Sequence, residues 1–397
     1  LPIDEARARM LEGVSALPTE TIAIDLASGR ALAKAVVAPR DQPPFESSVM
    51  DGWAVRFSDA QAAVDLDIVG ESAAGRGYDG AVGPGQAARI FTGAALPTGA
   101  DTVVIQENAQ RIGDQVRLGP LAKGGGHIRP RGADFRRGDV LLASGQRLDA
   151  WRLSLAAAAG FGELHVARQP RVAVLCTGEE LVRPPRAPGP FQIYESASAA
   201  LCALIGAWGG TALRLEPARD DEASVIAALK GIEADLIVTV GGASVGDFDI
   251  VKPALTQLGL ELSVASVNVR PGKPTWFGVL GDGRKVLGLP GNPSSAMVCA
   301  QLFLRPLMMA LQGADPTPAT LRARLTEPLP ANGAREHLMR ASLRSSEDGG
   351  LMVSPFADQD SGLVGVFARA DALLRRRSNT PASAAGEAVE VLKLDRL

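Results

Sequence analysis

The stretch that decides the fold is RVAVLCTGEE at residues 171–180. Its first six residues form a continuous apolar run, and a glycine follows two positions later. Runs of this kind are typical of strands that are buried on both faces of a parallel sheet. The further predicted strands are 211–215, 235–240, 262–269, 276–280 and 285–289, and the last two are predicted to form a hairpin around Gly281-Asp282-Gly283. The predicted helices are 196–207, 221–230, 249–258 and a long one from 294. Alternation of this kind predicts a doubly wound α/β domain whose parallel sheet is covered on both faces.

The sequence on either side of this α/β region has a different pattern of apolar and turn residues. Apolar spacing predicts a helix over 3–16, and an Ala-rich segment predicts another over 151–159. Short β-like runs separated by Gly, Pro and Asp turns fill residues 41 to about 145, which indicates a small mainly-β domain. A similar pattern returns after Asp315-Pro316, and it predicts a C-terminal β barrel or sandwich.

Composition excludes several classes of protein. Hydrophobic residues make up 46% of the 397 residues and the formal net charge is −3, so the chain has material for a core and no basic excess for nucleic-acid binding. Three Cys and three His lie far apart, which argues against a disulfide framework and a structural zinc site. The apolar stretch 296–311 contains a proline and an arginine and is interpreted as a buried helix, with no membrane contact expected. We expect a cytoplasmic protein.

Three glycine-containing loops follow predicted strands: 177–180, 241–249 and 290–295. Ligands of doubly wound sheets bind at the carboxyl ends of the strands, beside helix N-termini. Glycines allow backbone N–H groups to approach an anion closely. Each loop alone would usually be a simple turn, but three at one sheet edge favour a ligand site. None of these three loops contains a Walker A or a GxGxxG motif.

Carboxylates accompany these loops, at Glu180, Asp220, Asp221, Asp247 and Asp249. A phosphate would be repelled there unless a hard cation intervened, and Mg²⁺ held by one or two carboxylates resolves the conflict. Helix capping by Asp221 and Asp249 is an equally good interpretation. Only seven of the 41 basic residues are lysines, yet Lys252 and Lys273 lie in loop-rich segments. Lys273 is either an anion contact or a surface lysine.

Several segments together carry a family resemblance. They are 43–56 (PPFESSVMDGWAVR), 89–94 (RIFTGA), 131–134 (RGAD), 177–181 (TGEEL), 241–246 (GGASVG), 270–274 (RPGKP) and 288–293 (GLPGNP). In this order they resemble the molybdopterin molybdenumtransferase family, and the match covers essentially the whole chain.

The resemblance implies a homodimer of four-domain subunits. Domain one is split between 1–40 and 135–168, the mainly-β insert is 41–134, the molybdopterin-binding α/β domain is 169–313, and the C-terminal β barrel is 314–397. The implied reaction inserts molybdenum from molybdate into adenylylated molybdopterin with Mg²⁺-dependent release of AMP. Expected protein partners are the adenylyltransferase and downstream molybdoenzyme maturation proteins.

The resemblance also assigns residues, with the site lying between the α/β domain of one subunit and domains one and two of its partner. The implied catalytic residues are Asp51, Thr92, Asp134, Glu180 and Asp249. The implied substrate-binding residues are Gly241, Gly242, Ser244, Arg270, Lys273, Pro290, Gly291, Asn292, Pro293 and Ser361. Implied metal ligands are Asp220, Asp221 and Asp249, and Arg340 is a weaker match from the barrel. The chain departs from the family pattern at Glu179, Glu195, Ala197, Ile250, Ser266 and Arg270.

Two other functions remain open at this point. The α/β domain alone resembles the molybdopterin-adenylylating family, although an adenylyltransferase would not need the 41–134 insert or Asp51. A non-catalytic scaffold dimer that carries cofactor intermediates is the other alternative, and Glu180, Asp249 and Lys273 argue against it.

Overall fold

The computed structural model describes residues 1–61, 63–242 and 250–394. The chain divides into two compact units. The larger unit comprises Leu1–Lys34, Ser144–Asp149 and Glu163–Leu397, and the smaller unit comprises Ala35–Ala143 and Ala150–Gly162. The four-domain boundaries implied by the family resemblance stay a prediction.

The α-helices of the described residues are α1 (Ile3–Leu11), α2 (Ala150–Ala158), α3 (Ala197–Ala207), α4 (Glu222–Leu229), α5 (Val251–Thr256), α6 (Pro293–Cys299), α7 (Arg305–Leu311) and α8 (Val364–Arg369). The strands of the N-terminal region are β1 (Thr19–Ala23), β2 (Val36–Val37), β3 (Ser47–Ser48), β4 (Gly52–Val55), β5 (Asp65–Ser72), β6 (Gln86–Ile90), β7 (Thr102–Ile105), β8 (Ala109–Ile112), β9 (Gln115–Leu118), β10 (Ile128–Arg129), β11 (Val140–Leu142) and β12 (Glu163–Ala167).

The middle of the chain supplies β13 (Arg171–Cys176), β14 (Leu181–Val182), β15 (Ile193–Tyr194), β16 (Thr211–Arg214), β17 (Leu236–Val240), β18 (Glu261–Val264), β19 (Val269–Arg270), β20 (Trp276–Val279) and β21 (Lys285–Leu289). The C-terminal strands are β22 (Thr320–Leu325), β23 (Glu336–Ser345), β24 (Leu351–Pro355), β25 (Ala372–Arg376) and β26 (Ala388–Lys393).

A six-stranded sheet in the order β16-β13-β17-β21-β20-β18 forms the centre of the larger unit. Alternate residues along its strands belong to two cores. Val172, Val174 and Cys176 pack in a core with α1, α3, α6 and α7, whereas Ala173 and Leu175 pack in a core with α4 and α5. Both faces are therefore covered, as the continuous apolar strands predict.

The central sheet is mixed, as the predicted hairpin between 276–280 and 285–289 requires. β16, β13, β17 and β21 are parallel, but β20 and β18 run antiparallel to their neighbours. The reason is local, because the turn at 280–284 returns the chain directly into β21 as a hairpin. Trp276 of β20 faces Gly288 of β21 in register, and a Cβ on Gly288 would overlap the indole ring. The glycine thus makes room for a fully buried tryptophan.

The long helical segment Pro293–Leu311 is interrupted by a π-helical turn at Ala300–Leu304. By length and composition alone it could span a membrane, but 89% of it is buried inside the protein. The interpretation of 296–311 as a buried core helix agrees with this burial. Pro306 lies in the first turn of α7, directly after the π turn.

Five C-terminal strands close into a barrel, because β23 pairs with both β24 and β25 while β22 and β26 complete the ring. The prediction of a C-terminal barrel is confirmed. Strand β19 adds to the N-terminal end of β23, where Arg270 pairs with His337. The α/β region and the barrel thus share a sheet within the larger unit.

The smaller unit contains a six-stranded sheet in the order β7-β4-β6-β5-β9-β8. Buried side chains from both faces of these strands, such as Trp53 and Val55 on one and Ala54 and Ile90 on the other, form two small cores. The prediction of a mainly-β region from residue 41 onwards is confirmed.

Several predicted elements are shorter in the structure. The helix predicted over 3–16 ends at Leu11, because Gly13 adopts a φ of +70° that breaks the helix. The strand predicted over 262–269 covers only Glu261–Val264 in the central sheet, and Val269–Arg270 joins the barrel sheet instead. The helix predicted over 249–258 is described from Val251 to Thr256.

Candidate active site

A cavity of about 940 Å³ opens in the larger unit at the carboxyl ends of β13, β17 and β21. The three glycine-containing loops all contribute to its wall, because the carboxyl ends of parallel strands meet at one sheet edge. The lining residues that sequence analysis singled out are Gly178, Glu180, Asp220, Gly241, Gly242, Lys252, Lys273, Pro290, Gly291, Asn292 and Pro293.

The glycines after β17 are needed for packing. Gly241 has a φ of +92°, and a Cβ there would lie 2.8 Å from the carbonyl oxygen of Thr177. A Cβ on Gly242 would overlap a methyl group of Val251. Gly291 differs, since its added Cβ would approach only Gly241 Cα, at 3.4 Å. The simple-turn interpretation therefore holds for Gly241 and Gly242 alongside any binding role.

The loop after β21 contacts the segment that follows β24. Asn292 Nδ2 donates to Ser361 Oγ at 2.7 Å, and Ser294 Oγ donates to the carbonyl of Leu363 at 2.8 Å. Pro293 is the first residue of α6, a position where its missing N–H costs nothing. The structure thus brings Ser361 to the loop residues with which the family resemblance groups it.

The two cations of the 270–274 segment have different positions. Lys273 is exposed and lines the cavity, whereas Arg270 is an exposed residue at the end of β19 in register with His337. Arg340 lies on β23 and is fully buried, with Nη2 donating to the carbonyl of Asp360 at 2.8 Å. Among the described residues, its Nε and Nη1 atoms have no hydrogen-bond partner.

Carboxylates lie on one wall of the cavity. Glu180 and Asp220 are both exposed lining residues, and Asp220 accepts a hydrogen bond from the amide of Glu179 at 3.1 Å. Asp221 instead caps α4, where its two oxygens accept from Ser224 N and Oγ, each at 2.7 Å. These hydrogen bonds from Ser224 hold the pKa of Asp221 below its usual range. Across the described ranges, no group of three or more His, Cys, Asp and Glu side chains is arranged to hold a metal ion.

Two of the candidate residues, Ser244 and Asp249, lie outside the described residues, as does Asp247. Three others belong to the smaller unit. There Asp51 Oδ1 accepts hydrogen bonds from both N and Oγ1 of Thr92, each at 2.8 Å, and these bonds lower the pKa of Asp51. The backbone of Asp134 donates to the carbonyl of Gln42 at 2.9 Å.

Sequence reasoning missed a buried polar cluster in the cavity wall. Glu195 is 3% exposed and accepts from Ser198 N at 2.7 Å and from Arg214 Nη2 at 2.8 Å. Burial alone would raise its pKa, but the hydrogen bonds from Ser198 and Arg214 hold that pKa below the usual range. Burial and the nearby Glu195 carboxylate raise the pKa of the Cys176 thiol. Sequence analysis names Glu195 only as a departure from the family pattern, and no local signal in the sequence relates it to Arg214.

Lys252 also lines the cavity, although the family resemblance assigns it no role. Its ammonium lies 6.0 Å from the centroid of the buried Trp276 ring, within the range of a cation–π interaction. The rarity of lysine in this chain had pointed to Lys252 and Lys273 together, and both line the cavity. That signal was sufficient to find both residues.

Three family models match consecutive parts of the chain. The MoeA N-terminal region (domain I and II) matches residues 1–160, the probable molybdopterin binding domain matches residues 173–310, and the MoeA C-terminal region (domain IV) matches residues 322–394. The order of the three matches follows the order of the β insert, the α/β region and the barrel.

Relatives and solved structures give the same result. The chain is 33% identical over 404 residues to a molybdopterin molybdenumtransferase of Haemophilus influenzae, covering 100% of this chain and 99% of that one. It is 37% identical over 343 residues to molybdopterin molybdenumtransferase 2 of Mycobacterium tuberculosis, covering 82% and 84%. The crystal structure of the molybdopterin biosynthesis MoeA protein from Pyrococcus horikosii superposes with a TM-score of 0.81 at 30% identity, over 100% of both chains. The chain therefore belongs to the MoeA family of molybdopterin molybdenumtransferases.

Proposed function

We propose that this protein inserts molybdenum from molybdate into adenylylated molybdopterin and releases AMP. The observation that carries the proposal is the cavity at the carboxyl edge of the central sheet, in a chain whose relatives are named molybdopterin molybdenumtransferases. Its wall combines exposed backbone at Gly291, the cation Lys273 and the carboxylates Glu180 and Asp220. This mixture suits an anionic ligand whose phosphates are bound partly by backbone and partly through a cation.

The phosphate groups are proposed to lie against the loop 290–293. Its residues precede a helical segment that continues to Leu311, and the N–H groups and dipole of a helix start favour an anion. Lys273 supplies a compact positive charge on the same cavity wall. Gly241, Gly242, Ser244, Arg270 and Ser361 remain proposed contacts on the basis of the family resemblance.

Mg²⁺ fits the carboxylates of this cavity. Mg²⁺ is commonly held by one or two protein carboxylates, with water and substrate oxygens completing its coordination. Glu180 and Asp220 supply such oxygens, and the Glu179 amide holds Asp220 in place. Asp249 is a further proposed ligand, whereas the capping bonds of Asp221 favour a structural role for that residue. When bound, the ion would neutralise phosphate charge and polarise the bond that releases AMP.

The remaining residues are proposed to act from a second subunit. The Asp51–Thr92 pair and Asp134 would complete the site of the partner in a homodimer, as the family resemblance implies. The adenylyltransferase that makes the substrate and the proteins that receive the product are proposed partners. Cys176, Cys202 and Cys299 are all free thiols, which supports placing the reaction in the reducing cytoplasm.

Release of AMP from adenylylated molybdopterin, measured with and without molybdate, tests the proposal. We expect AMP release that depends on molybdate, and that stops in EDTA and returns with Mg²⁺. Turnover of ATP and molybdopterin to pyrophosphate would instead identify an adenylyltransferase. Binding of the adenylylated substrate without any turnover would identify a scaffold, and either result would contradict the proposal.

A further inference from the structure

Lys273 lies in a tight turn that is closed by hydrogen bonds from Thr275. The amide of Thr275 donates to the carbonyl of Gly272 at 3.0 Å, and the Thr275 hydroxyl donates to the same oxygen at 2.8 Å. The carbonyl of Lys273 accepts from the amide of Val267 at 3.1 Å. The backbone around Lys273 is therefore held through two carbonyl oxygens, and Thr275 provides both contacts to one of them.

A buried thiol links this turn, through a contact with Thr275, to the helical segment that starts at the cavity. Thr275 and Cys299 are both 0% exposed, and Thr275 Oγ1 lies 3.1 Å from Cys299 Sγ. Cys299 is the last residue of α6, whose first residue, Pro293, lines the cavity. A Cβ on Gly272 would overlap Cys299 Sγ, so the turn and the helix pack in direct contact.

The chemistry of the pair suits a fixed contact. The single proton of the Thr275 hydroxyl can be donated to the Gly272 carbonyl or to Cys299 Sγ, and the Cys299 thiol can itself donate to the Gly272 carbonyl, 3.9 Å away. Burial raises the pKa of Cys299 to about 12, and the thiol therefore keeps its proton near neutral pH. The contact between Thr275 and Cys299 therefore joins two neutral groups.

We propose that Thr275 and Cys299 are positioning residues for Lys273, which hold its ammonium on the cavity wall where the substrate phosphates bind. The inference rests on the proposed function, in which Lys273 contacts the anionic substrate. Neither residue lines the cavity, so their effect on binding passes through the turn. A purely structural threonine would affect stability and leave anion affinity unchanged.

Binding of inorganic pyrophosphate to the full chain, measured by calorimetry, tests the inference. Thr275→Val keeps the shape of the side chain and removes its hydroxyl, and we expect the Kd to rise about tenfold, the equivalent of one lost hydrogen bond. Thr275→Ser restores the hydroxyl and should return the Kd to within about twofold of the native value. Turnover should show the same loss mainly in KM.

Thr239→Val is the matched control. Thr239 is also 0% exposed and lies in strand β17 of the central sheet, and its hydroxyl has no partner among the described residues. We expect Thr239→Val to leave the Kd of pyrophosphate unchanged. An equal loss of affinity in Thr239→Val and Thr275→Val would show a general effect of core damage and would overturn the inference.

A double-mutant cycle with Lys273→Met separates this inference from the proposed function. In the Lys273→Met background, Thr275→Val should change the Kd by less than about twofold, because the group that it positions is gone. If Lys273→Met weakens binding but Thr275→Val in the native background does not, the positioning role is wrong and the function stands. If Lys273→Met leaves binding unchanged, the phosphate contact fails and the inference fails with it.

Discussion

Asp220 and Asp221 are sequence neighbours with different environments. The Asp220 carboxylate lies on the cavity wall and accepts one backbone hydrogen bond, whereas both oxygens of Asp221 are engaged at the start of α4. The sequence alone leaves metal binding and capping equally open for Asp221. The geometry favours capping for Asp221 and leaves Asp220 as the residue available to a cation.

Asparagine substitutions should separate the two roles. Asp220→Asn is expected to lower AMP release at limiting Mg²⁺ by roughly the 10–100-fold that losing a supporting group costs at metal sites, with little change in melting temperature. Asp221→Asn should keep the Mg²⁺ dependence, because asparagine caps helices about as well as aspartate. Asp221→Ala should lower the melting temperature while the Mg²⁺ dependence stays. A shifted Mg²⁺ dependence in Asp221→Asn would contradict this assignment.

His337 is a buried residue beside several cations. It is 9% exposed and lies in register between Arg270 of β19 and Arg376 of β25. Burial, together with Arg270, Arg340, Arg376 and Arg335, lowers the pKa of His337 from 6.5 to about 4. The fold therefore holds a neutral imidazole, whereas the unfolded chain takes up a proton below about pH 6.5.

The low pKa of His337 makes the stability of the fold depend on pH. Because the folded state binds this proton only near pH 4, stability should be lost as the pH falls from about 6.5 towards 4. Between about pH 7.5 and pH 5, the native protein should lose about 2 kcal/mol more unfolding free energy than His337→Asn, measured by urea titration. His165→Asn, at an exposed ring, should follow the native curve. Parallel curves for the native protein and His337→Asn would contradict the prediction.

The glycines in the loops at the sheet edge differ in how much space each leaves for a side chain. Gly242 has a φ of +57° and no room for a Cβ beside Val251. Gly291 has ordinary space for a methyl group, and it lies on the cavity wall. A substitution at Gly291 therefore tests ligand approach, whereas one at Gly242 tests packing.

Three alanine variants make the distinction measurable. Gly291→Ala should keep its melting temperature and weaken pyrophosphate binding, because the methyl group covers backbone that the phosphate approaches. Gly242→Ala should lower the melting temperature through strain and overlap. Gly206→Ala, in α3 with open space around it, is the control and should change neither binding nor folding adversely. Unchanged affinity in Gly291→Ala would remove the 290–293 loop from the proposed phosphate site.

For the molecule as a whole, the proposed homodimer predicts complementation between inactive variants. Asp51→Ala and Glu180→Ala should each be inactive, because each removes one carboxylate from every site. In a mixed dimer, one site would lose both carboxylates and the other would keep both. An equal mixture after subunit exchange should therefore recover about one quarter of native AMP release, since about half of the dimers are mixed.

Two controls accompany the mixing experiment. Exchange must be shown with differently labelled subunits. A mixture of Asp51→Ala with Asp134→Ala should not recover activity, because one subunit supplies both residues to each site, and every site of the mixed dimer therefore lacks one of them. Complete inactivity of the Asp51→Ala and Glu180→Ala mixture, with exchange demonstrated, would contradict a site shared by two subunits.

The local sequence pattern was sufficient to predict that the main helices and strands exist. The run at 171–176 was predicted to its exact bounds, and the hairpin around 281–283 was found from its two apolar strands and its glycines. Burial on both faces followed from continuous apolar strands, since a solvated face would require polar residues at alternate positions. The position of the cavity followed as well, because parallel strands with loops at their carboxyl ends can gather those loops at only one edge.

Tertiary structure decided what depends on residues distant in sequence. The pairing of β19 with the barrel and the contact between Asn292 and Ser361 both join segments that no local pattern relates. The same holds for Glu195 with Arg214, and for Thr275 with Cys299 across 24 positions of sequence. Periodicity records which face of an element is buried, and it carries no information on which partner buries it. Those partners are selected by packing and by the need of each buried polar group for a hydrogen bond.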